Sequence, residues 1–338
     1  MGLVLTLAGF SVGQAAQRPE QPTASIASLP SNGAKHTTRY WYRVSETVRF
    51  AVGAGPMGLA FDGANLWSAN YDSGTVTKLR AEDGKVLGQF STGGGPAGVT
   101  FDGANIWVSN SADSTVTKLR ASDGKALGTF TVPGVLPWWM AFDGSNVWVP
   151  STSRKGKGWV TKLRGTDGKK LGSFTLGVGP IAAAFDGANV WVTNFTDGTV
   201  SKVRASDGVV LGTFPVGNAP LGITFDGENI WVANNNGGSV TKLRARDGAR
   251  LGTFASPPAP YAVVFGKAAV WVSGAPDTYE LRASDGALLG RFSPPATNTT
   301  GVAFDGTDVW LSEYNLGAVA KLDSECGSDQ CRWRSGSE

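Results

Sequence analysis

The sequence is poor in the residues that carry most enzyme chemistry. Its 338 residues contain one histidine, two cysteines and three methionines, and charged residues make up only 17%. A lone histidine, His36, excludes a His-rich metal site and any histidine-dependent triad not built around it. Basic and acidic residues nearly cancel, 30 against 27, which leaves no electrostatic footprint for a nucleic-acid partner. No apolar run approaches the roughly 20 residues of a membrane-spanning helix, so no membrane span is expected. There is no strict Gly-X-Y period and no P-loop.

The excesses are glycine, 47 residues, and tryptophan, 12 residues, in a chain that is 41% hydrophobic. That hydrophobic share suffices for a large core and excludes wholesale disorder. The two ends differ from the rest. Residues 1–16 form a short apolar run followed by small residues, a pattern expected of a signal segment, which places the mature protein in a secreted or periplasmic setting. Residues 17–45, rich in Pro, Ser, Thr and Ala, are expected to be a flexible linker, with His36 a solvated linker residue. Residues 324–338 form a tail holding Cys326 and Cys331. Their spacing matches no standard zinc pair, which leaves a local disulfide, favoured in an exported protein, or two free thiols.

Between the ends lies a repeat. Phe-Asp-Gly begins at Phe61, Phe101, Phe142, Phe185, Phe225 and Phe304, with Phe265-Gly266-Lys267 as a degenerate copy, at steps of 39 to 43 residues. Six residues after each Phe stands a tryptophan: Trp67, Trp107, Trp148, Trp191, Trp231, Trp271 and Trp310. Seven copies of one Trp position mark a core residue, because catalysis does not come in sevens. Each unit reads as four short strands: in the first, residues 58–61, 66–69, 75–80 and 86–90, joined partly by Asp-Gly turns. A four-stranded unit of about 40 residues predicts a propeller blade. The fold class is therefore all-β, a seven-bladed β-propeller over residues 46–323. The last repeat offers three strands, and residues 47–52 are expected to supply its fourth and close the ring.

Function is sought where the repeats diverge. The crossing into each first strand, usually Gly-Pro-X-Gly, has X as Met57, Ala97, Trp138, Ile181, Leu221, Tyr261 and Thr300. Three residues after each Trp stand Asn70, Asn110, Ser151, Asn194, Asn234, Gly274 and Glu313, followed by Tyr71, Ser111, Thr152, Phe195, Asn235, Ala275 and Tyr314. Blade topology places these loops and crossings on one face. One rim would thus gather Trp138, Trp139, Tyr261, Tyr71, Phe195 and Tyr314 around amides such as Asn194 and the carboxylate of Glu313. Aromatic faces with polar neighbours suit a sugar ring, a flat small molecule or a protein partner. A monomer is expected.

The repeat text, Gly-Pro-X-Gly followed by Phe-Asp-Gly-Ala-Asn-Ile-Trp-Val-Ser-Asn, resembles the bacterial YVTN and NHL-like propeller repeats. Within these it is most similar to the virginiamycin B (streptogramin) lyase-like group, over residues 47–322. The resemblance implies a lyase opening a cyclic depsipeptide, with histidine at X of functional crossings, glutamate three residues after the Trp, and a magnesium ion. Here no X position is histidine, and only Glu313 matches the glutamate position. The expectation is a non-catalytic binding module with no cofactor, magnesium entering only under the lyase alternative.

Overall fold

The computed structural model describes residues 41–43, 48–292, 298–322 and 333–335. They form seven four-stranded antiparallel blades of a β-propeller, and the only helical turns among the described residues are Asn235–Gly237 and Tyr314–Leu316. Blades one to six follow the chain, over residues 56–91, 96–131, 141–178, 180–215, 220–255 and 263–292. Blade seven consists of Thr299–Phe304, Val309–Glu313 and Ala318–Leu322. Its fourth strand is Val48–Ala51, antiparallel to the third with Val48 opposite Lys321 and Ala51 opposite Ala318. The N-terminal strand therefore closes the ring, as the repeat count predicts.

The repeated residues interlock the blades. Trp67, Trp107, Trp148, Trp191, Trp231 and Trp310 are completely buried. Each donates its Nε1–H at 2.7–2.8 Å to the Asp of its own Phe-Asp-Gly turn. The Asp is thus a charged acceptor that lets a large polar-edged ring sit in the core. The third strand of each of these blades places a lysine Nζ 4.8–5.2 Å from that indole. The same ammonium donates to a backbone carbonyl of the next blade, Lys78 to Ala121, Lys118 to Gly165 and so on round to Lys321 and Ala81. Strand Thr75–Arg80 is accordingly buried on both faces, Lys78 included. Its alternation separates two neighbouring blades rather than core from solvent.

Glycine in the second Asp-Gly turn has a double cause. Gly84, for example, has φ +70°, and a Cβ there would run into the ring of Phe50 on the preceding blade's outer strand. The same Phe-on-Gly contact recurs at five further interfaces, Phe90 on Gly124 through Phe254 on Gly286.

The sixth sheet is wider than the others. Its outer strand Leu288–Phe292 pairs in parallel with Trp41–Arg43, which pairs antiparallel with Trp333–Ser335. The expected signal segment, His36, Cys326 and Cys331 lie outside the described residues.

Candidate binding site at the channel mouth

The second-to-third loops and the crossings share one face, as their hydrogen bonds show. Tyr71 N–H donates to Gly55 O, Ser111 to Gly95, Phe195 to Gly179 and Asn235 to Ala219. At the crossings into blades one, two, four, five and seven the segment bulges away from its own blade, and the ladder resumes after a register shift. A hydroxyl two residues after the Trp bridges the gap. Ser109 Oγ accepts from Gly98 N–H and donates to Trp138 O, and Ser312 Oγ links Gly301 N–H to Met57 O in the same way. The inner strands approach so closely that a Cβ at Gly58, Gly98 or Gly301 would collide with the neighbouring blade's backbone. This fixes the second glycine of Gly-Pro-X-Gly.

The X side chains converge as a result. Met57, Ala97, Trp138, Ile181 and Leu221 are buried in one apolar cluster, and Tyr71, Trp139, Phe195, Tyr261, Tyr314 and Leu136 pack against it half-exposed. The six aromatics expected at the rim are thus brought together. Below them the central channel encloses about 150 Å³. It is lined by one apolar residue from each inner strand, Leu59 through Val302, and by Trp139.

Three of the expected contact residues take other roles. Trp138 is 9% exposed and meets Trp139 edge-on, centroids 5.4 Å apart. It supports the mouth from beneath because its side chain, like those of Met57, Ala97, Ile181 and Leu221, is buried in the cluster, and it is Trp139, in the glycine position, that faces the channel. Asn194 is fully buried, and its amide donates to Thr199 and Ser201 on its own third strand. Asn70, Asn110 and Asn234 do the same, so the expected ring of amides points into the blades. Glu313 is also buried, held bidentate by Arg49 of the closing strand at 2.6 and 2.9 Å. In blade seven the two hydroxyl partners of the Asn are replaced by Ala318 and Ala320, and Arg49 with Glu313 takes over their job. Blade six uses the same solution, with Arg291 donating to the buried Asp277 at 2.6 Å.

Sequence reasoning missed Asp72. Tyr314 Oη donates to Asp72 Oδ1 at 3.0 Å, joining blade seven to the neighbouring blade one at the mouth. Burial first, then this bond to a carboxylate and the nearness of Tyr71 and Tyr261, hold the Tyr314 phenol well above its ordinary range. Burial also raises Tyr261. The available signal was that Asp72 stands where other blades have Ala112, Thr196, Asn236 and Asn315.

The described residues do not fit the magnesium ion that the resemblance implies. No three His, Cys, Asp or Glu side chains gather among them, and Glu313 is already neutralised by Arg49. No helix among the described residues is long and apolar enough to cross a membrane.

No family model and no curated protein matches the sequence. Solved structures do. Virginiamycin B lyase from Staphylococcus aureus superposes with a TM-score of 0.69 at 17% identity, over 82% of this chain and 99% of that one. A streptogramin B lyase gives 0.70 at 17%, over 86% and 99%. The hydrazine synthase of Kuenenia stuttgartiensis gives 0.70 at 18%, over 82% and 98%. At these identities the likeness is one of fold, shared by proteins of unrelated name.

Proposed function

We propose that the protein is a non-catalytic binding module whose ligand seats on the aromatic mouth of the central channel, in an exported setting. The observation that carries this reading is the convergence of Tyr71, Trp139, Phe195, Tyr261 and Tyr314 on one cluster while remaining half-exposed. A flat or ring-shaped ligand would gain area from stacking and orientation from the phenols. The carboxylate that a lyase would need is locked by Arg49 rather than presented. The leader-like residues 1–16 support export.

A glycan and small-molecule screen by ligand-observed NMR, repeated on Trp139→Ala, tests the site. Binders found with the parent protein should weaken at least about tenfold in the variant. Binding indifferent to Trp139 would remove the assignment. The likeness of fold to the two lyases motivates one competing reading, a carbon–oxygen lyase on a cyclic depsipeptide. Ring-opened product after incubation with a streptogramin B antibiotic and magnesium would establish it against ours.

A further inference from the structure

The mouth is not chemically uniform around the ring. Tyr261, Tyr314 and Tyr71 belong to the crossing into blade six and to the loops of blades seven and one, three successive sectors, and all pack on the same cluster. Asp72 is exposed beside them, and among the described residues its carboxylate makes no side-chain hydrogen bond beyond that from Tyr314. The other acidic and basic groups of these sectors answer each other, Glu313 with Arg49 and Asp277 with Arg291. Exposed Arg154, Lys155 and Lys157 sit on the long hairpin of blade three, at least two blades away, and exposed Arg250 turns its guanidinium to the carbonyls of Pro215 and Val216 between blades four and five. Residues 293–297, between blades six and seven, carry no charge in sequence.

We propose that this sector, on the binding reading above, takes an organic cation, an alkylammonium or quaternary ammonium group, against the three tyrosine rings with Asp72 as its counter-charge. Ring faces are the negative side of the aromatic quadrupole, so a cation gains from each one that an uncharged group of the same shape does not. Asp72 adds a negative charge at the same edge, exposed to solvent and so partly screened by salt. The raised phenol of Tyr314 stays protonated at neutral pH, so it donates to Asp72 and fixes the carboxylate. An anion would meet the like charge of Asp72 at this edge.

The test compares choline with dimethylbutanol, its uncharged carbon isostere, by ligand-observed NMR and calorimetry on the full chain. Choline should bind at least about tenfold more tightly than the isostere. Asp72→Asn and Tyr314→Phe should each remove most of that preference, while Asp113→Asn, on the same face but tied to Gly94 N–H of its crossing, should leave it unchanged. Thermal melting of each variant separates lost binding from lost fold. Equal binding of choline and isostere, both weakened by Trp139→Ala, overturns the cation inference and leaves the mouth as a neutral site. No choline binding, with screen hits still lost in Trp139→Ala, does the same. Absence of any ligand that depends on Trp139 overturns both readings.

Discussion

Blades two and six are built from the same repeat and hold themselves together differently. In blade two, Asp102 accepts from Trp107 Nε1, from the Asn105 side chain and from the N–H groups of Ala104 and Asn105. Lys118 lies over Trp107 and reaches the carbonyls of Gly165 and Thr166 in blade three. In blade six the Asp is Gly266, the Lys is Glu280, and the indole N–H of Trp271 is buried without a partner among the described residues. Its first turn places Lys267 and Ala268 at φ +51° and +58°, a conformation that costs side-chain-bearing residues energy.

The difference has a topological cause at one position. The lysine clasp needs the third-to-fourth turn of the next blade as its acceptor. Blade seven has no such turn, because its third strand ends at Leu322 and its fourth comes from the N-terminal Val48–Ala51. A lysine in blade six would meet no such turn among the described residues. The loss of Asp at position 266 has a steric correlate, since a Cβ there would strike Phe304. At the same junction the sheet is extended by Trp41–Arg43 and Trp333–Ser335. Strand pairing thus accompanies the blade in which side-chain clasps are missing.

Breaking the regular blade should give the largest effect. Asp102→Ala strands the Trp107 N–H and the turn donors together, and is expected to destabilise by about 4 kcal/mol, read as urea unfolding free energy. The nearest counterpart, Gly266→Ala, should cost less, about 2 kcal/mol, through overlap with Phe304 alone. Equal costs would mean the Asp network is not what distinguishes the blades. At the ring closure, Arg49→Ala leaves Glu313 buried without its partner. Arg49 is 29% exposed and solvent can partly replace it, so about 3 kcal/mol is expected, with earlier proteolysis at the N-terminal strand. The double variant Arg49→Ala with Glu313→Ala should recover part of that loss.

Indole-to-phenyl changes sharpen the comparison. Trp107→Phe abandons a charge-assisted bond and should cost about 2–3 kcal/mol. Trp271→Phe removes an N–H that has no partner among the described residues. Its cost should stay near 1 kcal/mol, the packing loss alone, checked by the same unfolding curves. A cost at Trp271 as large as at Trp107 would show that its N–H is satisfied after all.

Much of the scaffold was legible because it is written seven times. The Trp position, the Asp-Gly turns and the missing fourth strand of blade seven needed only counting. The site was legible in part. Tyr71, Trp139, Phe195, Tyr261 and Tyr314 diverge at loop positions whose topology sends them to one mouth. The inward turn of Asn194 and Glu313 was not, because their partners Ser201 and Arg49 are strand residues on another element, and Arg49 is 264 positions away in sequence. Asp72 escaped because its meaning comes from Tyr314 of the neighbouring blade, 242 positions away in sequence, a contact that no single repeat contains.

The smallest expected effect is on acid stability, and it separates the two blades by whether the effect varies with pH. Burial of Asp102 pushes its carboxyl up, but hydrogen bonds from Trp107, Ala104 and Asn105 outweigh this and hold it below the usual carboxylate range. A group depressed on folding stabilises the protein fully above its unfolded value, near pH 4, and loses that contribution as pH falls through the folded value. The stability gap between the parent protein and Asp102→Asn should therefore be widest at neutral pH and narrow below about pH 4. Gly266→Ala in blade six touches no titrating group, so its gap should stay constant over the same range. Unfolding free energies of the three proteins at pH 7 and pH 3 decide this. A gap for Asp102→Asn that is flat with pH would mean the carboxylate's charge contributes nothing beyond its shape, and the contrast between the blades would reduce to packing.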